Sequence, residues 1–196
     1  AIAGGNSVVI KPASDTPLSA LKLTEILLDA GMPSEAIQCV TGSGSVIGDA
    51  VVSHNTVRKV TFTGSQEVGE QIMRTAGLKK VTMELGSNSP LIVLPDADVE
   101  KVALATVQNG YANAGQACIS TQRVYADKKI YSDYLDALKP MVAALPSGDP
   151  MVDAVKVGPM VRESDAQRVE SWINEAVGAG ARLIEGGGRN GAVLAP

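Results

Sequence analysis

Apolar and polar positions along this chain switch between a period near two and a period near 3.6, and that switching outlines a fold. An apolar run at residues 7–10 reads as a strand. Residues 18–30 space their leucines as an amphipathic helix does, and Gly31-Met32-Pro33 stops it. Strand-like runs follow at 37–41, 58–62 and 80–84, with helical patterns at 46–53 and 67–76 between them. Strand and helix in strict turn predict a parallel sheet with right-handed crossovers. The pattern restarts after Gly86. It gives a strand at 91–94, a helix capped by Asp98 and running to 113, and a strand at 122–126. A helix at 130–145, a turn-rich stretch at 146–158, a helix at 164–179 and a strand at 182–185 complete it. The expected class is therefore α/β: a Rossmann-like parallel sheet in residues 1–85, then a second α/β catalytic domain in residues 86–196, both incomplete. The opening reads as a helix tail and the last residues as mid-domain, so the expectation is an excerpt of a longer protein.

Composition narrows the function classes. The chain has 196 residues, 45% of them hydrophobic, yet only 3% are aromatic and 20 are glycine. Its core must be built from Val, Ile, Leu and Ala, which suits buried parallel strands better than a base-stacking platform. The formal charge is −4 and no basic run exceeds two residues, so no nucleic acid partner is expected. No apolar stretch reaches the roughly 20 residues of a membrane span, so no membrane partner is expected either. With one His and two separated cysteines, neither a metal centre nor a required disulfide is expected, and a reducing, cytoplasmic setting fits.

Three segments carry candidate chemistry. Cys118 lies in Gly115-Gln116-Ala117-Cys118-Ile119-Ser120, a small-residue loop between a helix and a strand, where a thiol is accessible and nearby backbone N–H groups can meet an oxyanion. Cys39, inside the apolar run Ile37-Gln38-Cys39-Val40, reads as a buried core residue. Glu84 ends the run Val81-Thr82-Met83, at the carboxyl end of a parallel strand, where α/β proteins place their ligands. The turns at 42–48 and 62–69 each join a strand to a helix, and helix N-termini suit a pyrophosphate. Gly44, Gly48, Gly64 and Gly69 would let backbone approach it, and Ser65 adds a hydroxyl. The G-x-G-x-x-G fingerprint is not matched, so taken alone these turns read as plain strand–helix joins before they read as a binding motif. His54 reads as an exposed loop residue, Trp172, Tyr131 and Tyr134 as packing, and Arg123 as either a support for the Cys118 loop or a surface charge.

These segments together resemble the aldehyde dehydrogenase superfamily over essentially the whole chain. Gly115-Gln116-Ala117-Cys118 is similar to its nucleophile loop, and Phe62-Thr63-Gly64-Ser65 to its pyrophosphate turn. Glu84-Leu85-Gly86-Ser87-Asn88-Ser89-Pro90 resembles its Glu-Leu-Gly-Gly-Lys-Ser-Pro signature, departing at Ser87 and Asn88. The resemblance implies Cys118 as nucleophile and Glu84 as the base that activates water. It implies NAD or NADP as cofactor, bound by Lys11, Ser14, Gly44, Gly48, Phe62, Gly64, Ser65, Gly69 and Leu85. Lys11-Pro12-Ala13-Ser14 would meet the adenine ribose. Ser14 stands where many relatives carry Glu, which removes repulsion against a 2′-phosphate and favours tolerance of NADP.

The implied reaction is NAD(P)-dependent oxidation of a small-molecule aldehyde to a carboxylic acid, through a cysteine thiohemiacetal and thioester. A CoA-acylating relative, a semialdehyde or phosphorylated-aldehyde specialist, and a non-catalytic nucleotide-binding module are the alternatives. A homo-oligomer is expected of the full-length protein. The resemblance places an Asn-bearing oxyanion segment upstream of Ala1 and a Glu-x-Phe-Gly-Pro segment beyond Pro196, so this stretch alone is expected to be inactive.

Overall fold

The computed structural model describes all 196 residues and divides into two compact units, Ala1–Gly86 and Ser87–Pro196. In the first unit a 3-10 turn, Ile2–Gly4, precedes β1 (Val8–Ile10), α1 (Leu18–Asp29) and β2 (Ile37–Cys39). After these come α2 (Asp49–Ser53), β3 (Lys59–Thr63), α3 (Gln66–Ala76) and β4 (Lys80–Glu84). β1 pairs with β2, and β3 with β4, both in parallel. The predicted parallel crossovers are present, but the two pairs do not join into one sheet. Three-residue strands such as β1 and β2 offer few ladder bonds, and α1 packs beside β2 while α3 packs beside β3 and β4. The core here is small: Val52, Val60 and Ala76, with Val57, Ile72 and Val81 against them.

The second unit runs β5 (Pro90–Val93), α4 (Val99–Gly110), β6 (Arg123–Ala126), α5 (Tyr131–Ala143), α6 (Glu163–Gly178), β7 (Arg189–Asn190) and β8 (Val193–Leu194). β5 and β6 are parallel, whereas β7 and β8 form an antiparallel hairpin. Asp98 caps α4 as expected, its carboxylate accepting the Lys101 N–H at 3.2 Å. α4 and α5 pack through Ala103, Val107, Tyr134 and Val142, all buried. The Tyr134 hydroxyl donates to Thr106 Oγ1 at 3.1 Å, which satisfies the polar tip of that ring.

Some expected elements differ. Residues 182–185 form no strand: they follow Gly180 and precede Gly186 and Gly187, all at positive φ, and no chain segment offers them a ladder. Pairing falls instead on the hairpin just beyond, turned by Gly191. The helix expected to reach 113 stops at Gly110, and the one expected at 46–53 opens with a π-type turn, Gly44–Gly48. Trp172 is 58% exposed with the Arg168 guanidinium 5.3 Å from its ring centroid, and Tyr131 is 49% exposed, so the packing role belongs to Tyr134.

Apolar surface is left uncovered. The chain exposes 12969 Å², where two independent compact domains of half its mass would together expose about 10,500 Å². Leu18, Ile92, Leu94 and Trp172 are among the exposed large apolar side chains. No helix is long and apolar enough to cross a membrane.

Candidate active site

In the first unit the proposed nucleotide residues fall into two groups. Lys11 follows β1, and its Nζ donates to Gly42 O at 3.2 Å and to Pro12 O at 2.7 Å. The exposed Ser14 hydroxyl reaches the same Gly42 carbonyl at 3.4 Å. Gly42 itself needs glycine, because its φ is +147° and a Cβ would collide with Ile47. Gly44 and Gly48, at the ends of the π-type turn, face open space.

The second group forms where β3 and β4 end side by side. Thr63 pairs with Glu84, and the Gly64 N–H donates to the Glu84 carbonyl at 3.0 Å, so the turn and the glutamate share one anchor. The Phe62 ring lies over Gly64, and Leu85 lies over the buried Gly69. These two glycines make room for side chains of the protein itself. Ser65 caps α3, accepting the Val68 N–H at 3.4 Å. Glu67 is held below the usual carboxylate range, first by its own backbone N–H and then by the Ser65 hydroxyl. The positive end of α3 therefore already meets one carboxylate. Glu84 is exposed at its strand end, and Cys39 sits half-buried in β2.

The second unit holds Cys118, whose thiol is exposed and unbridged. The loop that carries it starts with three successive left-handed residues, Asn113 (φ +52°), Ala114 (φ +55°) and Gly115 (φ +73°). Left-handed backbone costs a Cβ-bearing residue about 1–2 kcal/mol. Asn113 offsets part of that through its Nδ2, 3.4 Å from Gln116 O, whereas Ala114 has no side-chain partner to do so. Gln116 then ties the loop down at both ends of its amide. Its Nε2 donates to Asn113 O at 3.1 Å, and its Oε1 accepts the Val161 N–H at 3.0 Å, 45 residues on.

Past the thiol, the Ser120 N–H closes a turn on Ala117 O at 3.0 Å, and the Thr121 N–H reaches Asn109 O at 3.3 Å. The Ser120 hydroxyl is buried without a partner. The Cys118 N–H has no backbone acceptor, which leaves it available to a developing negative charge. On the other side, the Ser87 hydroxyl donates to Cys118 O at 2.8 Å. Arg123 bonds the neighbouring segment and not the Cys118 loop itself: its Nε and Nη2 both donate to Asn88 O, at 3.1 and 2.8 Å. No group of three or more His, Cys, Asp or Glu side chains gathers where a metal ion could be held.

Comparison with known proteins settles the family. A sequence profile described as "Aldehyde dehydrogenase family" matches residues 1–196. The chain belongs to that family. A 3-sulfolactaldehyde dehydrogenase of Priestia aryabhattai is 47% identical to this aldehyde dehydrogenase chain over 196 residues, covering all of it and 41% of that enzyme. The NADP+ succinate-semialdehyde dehydrogenase of Escherichia coli is 40% identical over 189 residues, 95% of this chain and 39% of that one. Among solved structures, the glyceraldehyde-3-phosphate dehydrogenase of Methanocaldococcus jannaschii complexed with NADP aligns at a TM-score of 0.96 with 35% identity. It covers 100% of this chain and 44% of its own. The chain thus spans about two fifths of the length of these relatives, and its α/β architecture is theirs.

The structure brings Lys11 and Ser14 together, and separately Phe62, Gly64, Ser65, Gly69, Glu84 and Leu85, in the first unit. Cys118 belongs to the second. Sequence reasoning missed the left-handed Asn113 and Ala114, because alanine carries no turn signal. It also missed the hydrogen bonds of Gln116 and Ser87, whose partners lie 45 and 31 residues away.

Proposed function

We propose that this chain carries the nucleophile and the hydrolytic base of an NAD(P)-dependent aldehyde dehydrogenase that converts a small aldehyde to its carboxylic acid. The observation that carries the reading is the Cys118 loop: an exposed thiol on a strapped turn, with its own N–H free of any backbone acceptor. The thiolate adds to the aldehyde carbon, forming a C–S bond, and the Cys118 N–H steadies the alkoxide of the resulting thiohemiacetal. Loss of two electrons and the carbonyl-bound hydrogen leaves a thioester on Sγ. Glu84 takes a proton from water, and the hydroxide releases the acid and restores the thiol. That role also separates this reading from a CoA-acylating enzyme, in which a hydrolytic base would waste the thioester.

The residues present fit a dinucleotide. Gly44 and Gly48 leave open space beside a strand–helix turn, and Lys11 stands next to it with Ser14 in place of a carboxylate. When bound, the cofactor supplies the hydride acceptor. Lys11 and Ser14 would hold the adenine ribose, with Ser14 tolerating a 2′-phosphate, while Ser65 would offer its hydroxyl to the pyrophosphate. The NADP named for the Escherichia coli and Methanocaldococcus relatives agrees with this assignment.

The test uses an enzyme of the relatives' length that carries this chain, a small aldehyde, and NAD or NADP. Cys118→Ser should abolish both the first burst of reduced cofactor and turnover. Glu84→Gln should keep the burst and lose turnover. A Cys118→Ser enzyme that turns over normally would overturn the assignment, as would a Glu84→Gln enzyme with unimpaired hydrolysis. Activity with NAD and none with NADP would remove the reading of Ser14.

A further inference from the structure

We propose that Ser87 is a positioning residue for Cys118, its hydroxyl fixing the peptide carbonyl of the nucleophile while Ser89 supports that hydroxyl from behind. The proposal rests on the reading of Cys118 as the nucleophile. Ser87 Oγ lies 2.8 Å from Cys118 O and 2.7 Å from Ser89 Oγ. A carbonyl can only accept, and a hydroxyl has one proton to give. Ser87 therefore spends its proton on Cys118, and Ser89 must be the donor in the second contact. The bonds run one way, from the Ser89 O–H to the Ser87 O–H to Cys118 O, and each polarises the next.

The base of this relay is fixed. The Ser89 carbonyl accepts the N–H groups of Gln122 at 3.1 Å and Arg123 at 3.2 Å, where β5 and β6 begin their ladder. Asn88, between the two serines, is gripped by the Arg123 guanidinium. The carbonyl of Cys118 is thus tied to a sheet, which fixes the rotation of the Cys118–Ile119 peptide. The family signature has glycine at this position and no hydroxyl to offer, so the relay depends on the serine of this chain.

Alkylation by iodoacetamide, followed across pH with mass spectrometry of the Cys39 and Cys118 peptides, tests this on an enzyme of the relatives' length that carries this chain. Cys39 is the internal reference, and the Arg123 charge stays in place throughout. Ser87→Ala and Ser87→Gly should each slow Cys118 about three- to tenfold at neutral pH, as loss of one net hydrogen bond implies. Neither should alter the labelling of Cys39. Ser87→Thr should keep the rate within about twofold of the parent, and Ser89→Ala should shift it in the same direction as Ser87→Ala but less. An unchanged Cys118 profile in both the Ala and Gly variants would overturn the proposal. A parallel change at Cys39 would overturn it too, since that marks general loosening. If the unsubstituted chain labels Cys118 no faster than Cys39, the nucleophile reading has failed first, before any variant is made, and the positioning role falls with it.

Discussion

In the first unit every residue with a left-handed backbone is a glycine; in the second, Asn113 and Ala114 adopt that conformation as well, five and four residues before the thiol. The first unit's turns are relaxed. Gly42 adopts its φ at no steric cost, and Gly44 and Gly48 face open space. The Cys118 loop stores strain and is held by Gln116, Ser87 and the ladder behind Ser89. A turn that a flexible ligand must enter gains from openness. On the function proposed, the Cys118 turn must present one atom to a reacting carbon and gains from being over-determined, since strain persists only where the surroundings hold it.

The strained loop stands on the α4–α5 layer, so the largest expected effect comes from removing that support. Tyr134→Ala deletes a ring that is 3% exposed and should lower the stability of the second unit by about 3–5 kcal/mol in urea unfolding. The packing of Val52, Val60 and Ala76 should be untouched. A loss of under about 1 kcal/mol would mean that the loop rests on something else.

The contrast in backbone strain predicts opposite signs at neighbouring positions. Gly115→Ala puts a Cβ on a backbone at φ +73°, 3.4 Å from Gly110 O, and should destabilise by about 1–2 kcal/mol. Ala114→Gly relieves strain at φ +55° and should be neutral or stabilising by up to about 1 kcal/mol, measured by the same unfolding curves. Destabilisation by Ala114→Gly would remove the distinction between the two units.

The smallest effect is in alkali and belongs to the second unit alone. Burial raises the pKa of both Tyr111 and Tyr134, and for Tyr134 the Thr106 hydrogen bond opposes that only in part. For a group whose folded value is raised, the stability it contributes is complete below its unfolded value, near pH 10. That contribution disappears as pH climbs through the higher folded value. Unfolding followed by tyrosinate absorbance should therefore sharpen above about pH 10, and Tyr134→Phe should weaken that dependence.

Much of this was legible in the residues. Asp98 announced its cap, the glycine and proline after α1 announced its end, and β3 to β4 fell within a residue of expectation, because each depends on local chemistry. The strand expected at 182–185 failed for the opposite reason. A strand exists only where a partner stands beside it, and the apolar pattern there cannot say that none does. The same holds for the site. Residue type and position mark Cys118 and Glu84 as candidates, but the hydrogen bonds from Ser87 and Val161 reach the Cys118 loop from 31 and 45 residues away.

The hydrogen bond from Val161 to Gln116 has one further consequence. Met160, its neighbour, donates its N–H to Ala192 O at 2.8 Å, in the turn between β7 and β8. The setting of the thiol is thus pegged to a hairpin more than seventy positions downstream. A shortened version ending ahead of that hairpin would retain the cysteine, its helix and its strand, yet release the far peg, and the turn around the cysteine would unwind from its tense shape.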